Sequence, residues 1–309
     1  MTCPGNWRRV LITGCQGDIA RGLAGILGEA FPDAKIYGTD LNITTDPTPL
    51  FSACDIVPRA DAADYFERLA EISEAYDIDL IIPMSEAELA RFLAEDATET
   101  WRGLPVLAAN ATSISIGLDK LATMQFLQDN NIPTPWTCVV GEAPPVATPC
   151  ILKQRRGQGG KGLLRVEAGD VADLTHTRRG DLWQELLLPD DQEYTCALYR
   201  SATRELRTIV FRRQLRGGIT GSGEVVEVPE IEAQLRNLTD ALDLVGAINV
   251  QLRLTVAGPR IFEINPRFSS TVDLRHRIGF QDFLWSLSER AGDPLPPYVP
   301  IQAGTTIER

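Results

Sequence analysis

The sequence predicts a doubly wound α/β unit with a parallel sheet over residues 1–110, followed by an α+β region in two parts, 111–186 and 187–309. Three observations predict it. Apolar strand-like runs alternate with helix-period segments from residue 8 to residue 108, as in strands joined by crossover helices. One run, 79–83, is continuously apolar between Asp79 and Pro83, as a strand covered on both faces must be. From Cys150 onward short β-rich segments dominate, so the parallel sheet does not continue.

In chain order, residues 8–13 read as a buried strand that passes through Gly14-Cys15-Gln16-Gly17-Asp18 into an apolar-periodic helix over 18–30. A strand at 35–39 ends at Asp40. A helix over 62–76, the strand at 79–83, a helix over 86–100 and a short strand at 105–108 complete the first unit. Residues 111–135 form a bridge, in which a helix opens at 115–120 and runs to about Asn130 before Pro133 and Pro135 end it. Strands are then expected at 150–154, 163–166, 182–187, 193–199, 205–213, 247–254 and 259–264, with helices near 230–243 and 280–290.

Composition excludes several classes. A net charge of −12 argues against a nucleic-acid partner, which needs a basic surface. No apolar run approaches the ~18–20 residues that span a bilayer, so no membrane is expected. Six scattered cysteines without a C-x-x-C pair, and an N-terminus unlike a signal peptide, point to reduced thiols in a cytoplasmic protein. Only His176 and His276 are present, which rules out a His-rich metal site. Four lysines stand against 26 arginines, and Lys120, Lys153 and Lys161 fall within 42 residues. A compact ammonium suits phosphate oxygens, so the clustering is suggestive.

Gly14-x-x-Gly17-x-x-Ala20 with Asp40 downstream echoes a dinucleotide fingerprint and leaves an NAD(P) oxidoreductase open. A glycine turn is equally needed for close strand–helix packing. None of the six tyrosines has a lysine four residues on, which removes the Tyr-x-x-x-Lys pair of short-chain dehydrogenases.

The chemistry concentrates elsewhere. In Ile261-Phe262-Glu263-Ile264-Asn265-Pro266-Arg267 an extended chain turns Glu263, Asn265 and Arg267 to one side. Glu263 and Asn265 offer hard oxygens for Mg²⁺, and Arg267 offers a fork for an anion; an edge strand with a solvated polar face would carry the same pattern. Upstream, Lys153-Gln154-Arg155-Arg156-Gly157-Gln158-Gly159-Gly160-Lys161-Gly162 is a basic glycine loop between strands. Its N–H groups can approach phosphates unobstructed, although a plain hairpin tip is the alternative. It is not a Walker-type loop, because Gly162 stands where Ser or Thr is required. In 183–195 an apolar strand edge can pair with an adenine ring, and Glu193 can accept from ribose hydroxyls. Residues 216–223 form a second glycine-rich stretch, either a mobile loop near an acceptor site or a connector. Arg275 and Arg277 are either carboxylate binders or a solvated helix face.

Lys120, Lys153 with its glycine loop, Glu185–Leu188, Glu193, Gln251 and Glu263-x-Asn265-x-Arg267 occur in one order. That order resembles the ATP-grasp superfamily, most closely the ATP-binding module of the carbamoyl-phosphate synthase large chain. The resemblance implies a pre-ATP-grasp domain over 1–110, a lid subdomain over 111–186 and a central subdomain with metal-binding strands over 187–309. It implies ATP with Mg²⁺ or Mn²⁺ as cofactors. Lys120 and Lys153 would contact the phosphates under a lid containing Gly157, Gly159, Gly160 and Gly162. Glu185, Leu186, Leu187 and Leu188 would form the adenine hinge, with Glu193 on the ribose. Gln251, Glu263 and Asn265 would hold the metal, and Arg267 with Lys161 would act on the transferred phosphoryl. The pattern departs from the family at Phe268, where a smaller residue is usual, and after Ser269, next to the acceptor pocket.

The activity implied is an ATP-dependent ligase that phosphorylates a carboxylate for attack by an amine, both small molecules. The alternatives are a module phosphorylating bicarbonate or carbamate, and an ATP-binding subunit without turnover. A homodimer and a partner subunit both stay open.

Overall fold

The computed structural model describes residues 7–44, 50–157 and 162–309. Strands β1 (Arg9–Thr13), β2 (Lys35–Asp40), β3 (Ala53–Ile56) and β4 (Leu80–Ile82) form a parallel sheet in the order β3-β2-β1-β4. Its central strands are apolar on both faces because both faces are covered. Val10, Ile12, Leu80 and Ile82 pack with Leu23 and Leu27 of α1 (Asp18–Ala30). Leu11 and Ile81 pack the other way, with Leu69 of α2 (Tyr65–Ala75) and Phe92 of α3 (Glu86–Ala94).

Three departures from expectation occur here. Strand β3 was not anticipated, because its half-buried Ala-Cys-Asp-Ile lacks both alternation and a continuous apolar run. Helix α3 ends at Ala94, six residues before the expected end at 100; Asp96 adopts φ 52°, and Thr100–Trp101 (β5) pairs back on Leu104–Pro105 (β6). The expected strand at 105–108 reduces to a parallel bridge between Val106 and Ile81.

The bridge helix is two helices, α4 (Ala111–Gly117) and α5 (Lys120–Asp129). They separate because Asp119 takes an extended conformation and caps α5, its Oδ1 accepting from Leu121 N at 3.0 Å. Lys120 is thereby the first residue of α5.

Two antiparallel sheets follow. The smaller has the order β7-β10-β8-β9, built from β7 (Thr137–Val139), β8 (Cys150–Lys153), β9 (Leu164–Val166) and β10 (Leu182–Glu185). Cys150, Leu152, Val166 and Trp183 bury one face, against Leu174 of α6 (Val171–Thr177). The larger has the order β15-β14-β11-β12-β13-β16, from β11 (Glu193–Arg200), β12 (Leu206–Arg216), β13 (Ile219–Val225), β14 (Gly246–Thr255), β15 (Gly258–Asn265) and β16 (Thr306–Glu308).

One face of the larger sheet (Tyr194, Cys196, Leu198, Val210, Val250, Leu252) packs on α7 (Pro229–Ala241) and on Ile114, Met124 and Leu127 of α4 and α5. The first residues of the expected lid segment, 111–129, therefore pack on the larger sheet, and the smaller sheet starts at Thr137. On the opposite face Ala197, Ile209 and Phe211 join the core of β1, β4 and α1, together with Val272 of α8 (Val272–Arg277) and Phe283 of α9 (Asp282–Ala291). One apolar cluster thus runs from the parallel sheet into the larger antiparallel one.

Arg275 belongs to this core and is not a substrate-facing residue. It is 1% exposed and forks on Asp282 through Nε (2.9 Å) and Nη2 (2.6 Å), with Nη1 donating to the hydroxyls of Ser269 and Thr271. Arg277 is exposed and pairs with Asp273 at 3.2 Å. Among the described residues, no helix is long and apolar enough to cross a membrane.

The last turn of α4 approaches the end of β15 closely. A Cβ on Gly117 would stand 2.7 Å from Pro266 Cδ and 3.1 Å from the Ile264 carbonyl oxygen. Gly117→Ala is therefore expected to cost about 1–3 kcal/mol in urea denaturation, the usual range for overpacking. Wild-type stability in that variant would show that α4 yields freely.

Candidate active site

The two antiparallel sheets face each other across a cleft of about 730 Å³. Its floor is the polar end of the larger sheet's inner face. Register brings Thr195 opposite Gln251, Gln251 opposite Glu263, and Asn249 opposite Asn265. Strict alternation alone would bury Phe262 and expose Ile261. A bulge prevents this: Gln251 pairs with Glu263 but the next residue, Leu252, pairs with Ile261, so Phe262 is the extra residue. Ile261 and Ile264 both enter the core, whereas Phe262, Glu263 and Asn265 all line the cleft. The Phe262 carbonyl accepts from Lys153 Nζ at 3.1 Å, which ties the smaller sheet to the floor of the larger.

Of the residues expected from sequence, Lys120, Lys153, Gly157, Glu185, Leu186, Leu187, Glu193, Gln251, Glu263, Asn265 and Arg267 line this one cleft. Leu188 is exposed and outside its lining, and so is Gly162, whose carbonyl accepts from Arg178. Gly159, Gly160 and Lys161 lie outside the described residues. The second glycine stretch proves to be the β12–β13 hairpin, and Leu215 and Gly218 of that hairpin border the cleft.

The cations are held individually. Lys153 is 7% exposed; burial pushes its ammonium down to about 8, Lys120 adds to the shift and Glu263 opposes it. Lys120 Nζ donates to the Gly157 carbonyl at 2.6 Å. Asp119 below it accepts from Arg155 Nε at 2.9 Å and Arg156 Nη2 at 3.3 Å, fastening the start of the glycine loop. Burial lowers the Arg267 pKa, with Glu86 and Glu263 opposing.

Glu86 is a residue that sequence reasoning missed. It is the first residue of α3, 3.9 Å from Arg267 across the boundary with the N-terminal unit, and burial raises its pKa. A signal did exist. Ser85 and Glu88 form a capping box, which places Glu86 just past the carboxyl end of β4, where open parallel sheets present ligand-binding groups. Thr195, Arg213, Asn249 and Arg253 also line the cleft unanticipated, because only strand register brings them there, and Asp18, at the start of α1, arrives with the packing of the N-terminal unit.

The donor set suits one divalent cation. Glu263 and Asn265 have no side-chain hydrogen bond among the described residues. Asn249 spends its amide N–H groups on Thr195 Oγ1 (2.8 Å) and the Cys196 carbonyl (3.0 Å), leaving its oxygen. One carboxylate and amide oxygens, completed by water and phosphate, fit Mg²⁺. Gln251 differs, since its Oε1 accepts from Arg213 Nη2 at 2.9 Å. The Glu193 carboxylate is also engaged, by Arg213 and Arg253, each at 2.5 Å. Among the described residues no group of three or more His, Cys, Asp or Glu is placed to hold a metal.

The dinucleotide-like turn is internally satisfied. Asp40, where a ribose would be read, accepts from Gln16 N at 2.9 Å and Leu41 N at 2.7 Å. At the departure from the family pattern, Phe268 is buried edge-on against Phe283, centroids 5.4 Å apart, which accounts for its size.

Comparison with known proteins bears on the fold and on the C-terminal part of the sequence. Residues 184–308 match the family described as "ATP-grasp in the biosynthetic pathway with Ter operon". A carbamoyl-phosphate synthase of Methanobrevibacter smithii is 28% identical over 125 residues, 37% of this chain; the match spans about a third (32%) of that relative. The ADP complex of the N5-carboxyaminoimidazole ribonucleotide synthetase purK superposes with a TM-score of 0.75 at 18% identity, over 97% of this chain and 81% of that one. An L-amino acid ligase from Bacillus licheniformis gives 0.69 at 16%, over 92% and 74%.

Lys153 generates a pH prediction. The unfolded chain holds this proton up to about 10.5 and the folded chain only to about 8, so stability rises with pH between those values. The cost of the buried charge, present below pH 8, is about 3 kcal/mol at ~1.4 kcal/mol per pKa unit. Lys153→Met should be more stable than wild type at pH 7 and lose the rise between pH 8 and 10. Parallel denaturation curves for both proteins across that range would refute the assignment.

Proposed function

We propose that the chain, which shares the fold of the superposed synthetases and matches an ATP-grasp family over residues 184–308, works as an ATP-dependent ligase. Mg·ATP would phosphorylate a substrate carboxylate, giving an acyl-phosphate that an amine attacks, with release of ADP and phosphate. One observation carries this reading: the two ammonium groups, the guanidinium of Arg267 and the oxygens of Glu263 and Asn265 converge on a single cleft. The cleft also has apolar lining from Ile151, Leu186, Leu187 and Phe262, the kind of surface a purine ring packs against.

Phosphoryl transfer needs positioning and charge neutralisation more than covalent chemistry. Lys153 meets the phosphates from the smaller sheet and Lys120 from the start of α5. Glu263 and Asn265 would hold Mg²⁺, which when bound neutralises phosphate charge and fixes its geometry. Arg267, fixed beside Glu86, faces the phosphoryl in transit. The acceptor would enter past Asp18, Ser269 and Ser270, where the N-terminal unit closes the cleft.

The match to a carbamoyl-phosphate synthase favours one second reading, in which the acceptor is bicarbonate and the amine is ammonia. A coupled ADP-release screen over carboxylates and amines, with bicarbonate plus ammonia as one arm, separates the two. Release that no carboxylate, bicarbonate included, stimulates would refute both.

Glu263→Ala is expected to lower Mg·ATP-dependent turnover by about 10²–10³-fold, or ~3–4 kcal/mol, as for other lost charge-stabilising groups. Its circular dichroism and melting should stay near wild type. Retained ADP release in this variant would sink the metal assignment.

A further inference from the structure

Gln251 stands in the floor where a second metal ligand is expected, yet its oxygen already has a cationic partner. Arg213 of β12 donates Nη2 to Gln251 Oε1 at 2.9 Å, and both Nε (3.1 Å) and Nη2 (2.5 Å) to Glu193 Oε1. The guanidinium is held from two neighbouring strands at once and is 9% exposed. Its Nη1 has no hydrogen-bond partner among the described residues, and the side chain lines the cleft.

A Mg²⁺ ion binds its oxygens at about 2.0–2.1 Å. An ion on Gln251 Oε1 would therefore lie within a few ångströms of Arg213, two like charges in a partly desolvated cleft. The local carboxylates cannot offset that. Glu193 is already shared between Arg213 and Arg253, and Glu263 is the single carboxylate of the expected metal set. The Gln251 oxygen thus already has a cationic partner.

We propose that Arg213 takes the place of a second metal ion, so that the cleft binds nucleotide with one divalent cation, on Glu263 and Asn265, and one guanidinium on the Gln251 side. The ligand is the polyphosphate of a nucleoside triphosphate, and the inference rests on the ATP-dependent reading above. Arg213 meets the phosphates through Nη1, while Glu193 and Gln251 hold its orientation. A guanidinium serves this purpose because it stays charged at every working pH and presents paired donors to phosphate oxygens.

The test counts metal without turnover. The full chain is titrated with Mn²⁺ in the presence of a saturating non-hydrolysable ATP analogue, and free Mn²⁺ is read by electron paramagnetic resonance. Wild type should take up one nucleotide-dependent Mn²⁺ per chain, and Glu263→Gln should lose it. In Arg213→Met the analogue should bind about 10–100-fold more weakly, the range for losing a hydrogen bond to a charged group. That affinity should recover as free Mn²⁺ is raised, since Gln251 then admits a second ion; Arg213→Lys should retain part of the affinity and a count of one. Two ions per wild-type chain would overturn the inference and leave the ligase reading standing. So would unchanged affinity in Arg213→Met, or a loss that excess Mn²⁺ does not reverse. No nucleotide-dependent uptake by wild type would overturn both.

Discussion

The bulge at Phe262 is the constraint on which the site depends. A strand without it would keep period-two alternation, and a shift of one residue sends every side chain to the other face. The extra residue lets Ile261 and Ile264 share the core with Val250 and Leu252 while Glu263 and Asn265 stay in the cleft. It also leaves a carbonyl turned toward the opposite sheet, where Lys153 takes it. A single irregularity thus sets which side chains meet a ligand and anchors the lysine above them.

The larger sheet's inner face does two jobs along its length. At one end Ala197, Ile209 and Phe211 continue the core of the N-terminal unit; at the other, residues 193, 195, 249, 251, 263 and 265 carry polar chemistry. The continuous core holds the N-terminal unit against the cleft, which is why Glu86 reaches Arg267 and Asp18 reaches the rim. The Arg275–Asp282 fork serves the same end, joining α8 to α9 and holding Ser269 and Thr271, two and four residues beyond Arg267. Aromatic contacts around Trp285, with Arg207 4.4 Å from its ring centroid, fill in behind. Buried ions such as Lys153 and Arg267 oppose folding, so this surrounding packing keeps them in place.

Much of the candidate site was legible in the sequence. Glu263 and Asn265 sit on a strand and Arg267 just past its end, in a segment whose local pattern announced a polar face, Lys153 leads into the glycine loop, and the structure brings all four to one cleft. Lys120 was placed on a helix that proved to be two, split by the Asp119 cap, a local hydrogen bond that apolar periodicity does not register. Arg275 was expected either to bind a carboxylate substrate or to face solvent, because its actual partner, Asp282 seven residues on, is brought beside it only by packing. Arg213 was invisible, since it lies in no motif, and Glu86 was marked only by the capping box beside it; each acquires its meaning from a group far away in the chain.

By itself the sequence determined most of the strands and helices that frame the site, the end of the parallel sheet before Cys150, and the chemical types available for a phosphate-and-metal site. Those follow from period, turn residues and side-chain identity, all properties of short segments. Tertiary structure alone decided which oxygen remains for a metal, which cation stands beside it and which unit supplies Glu86. Those depend on strand register and on burial, and both are settled only when segments far apart in the chain pack together.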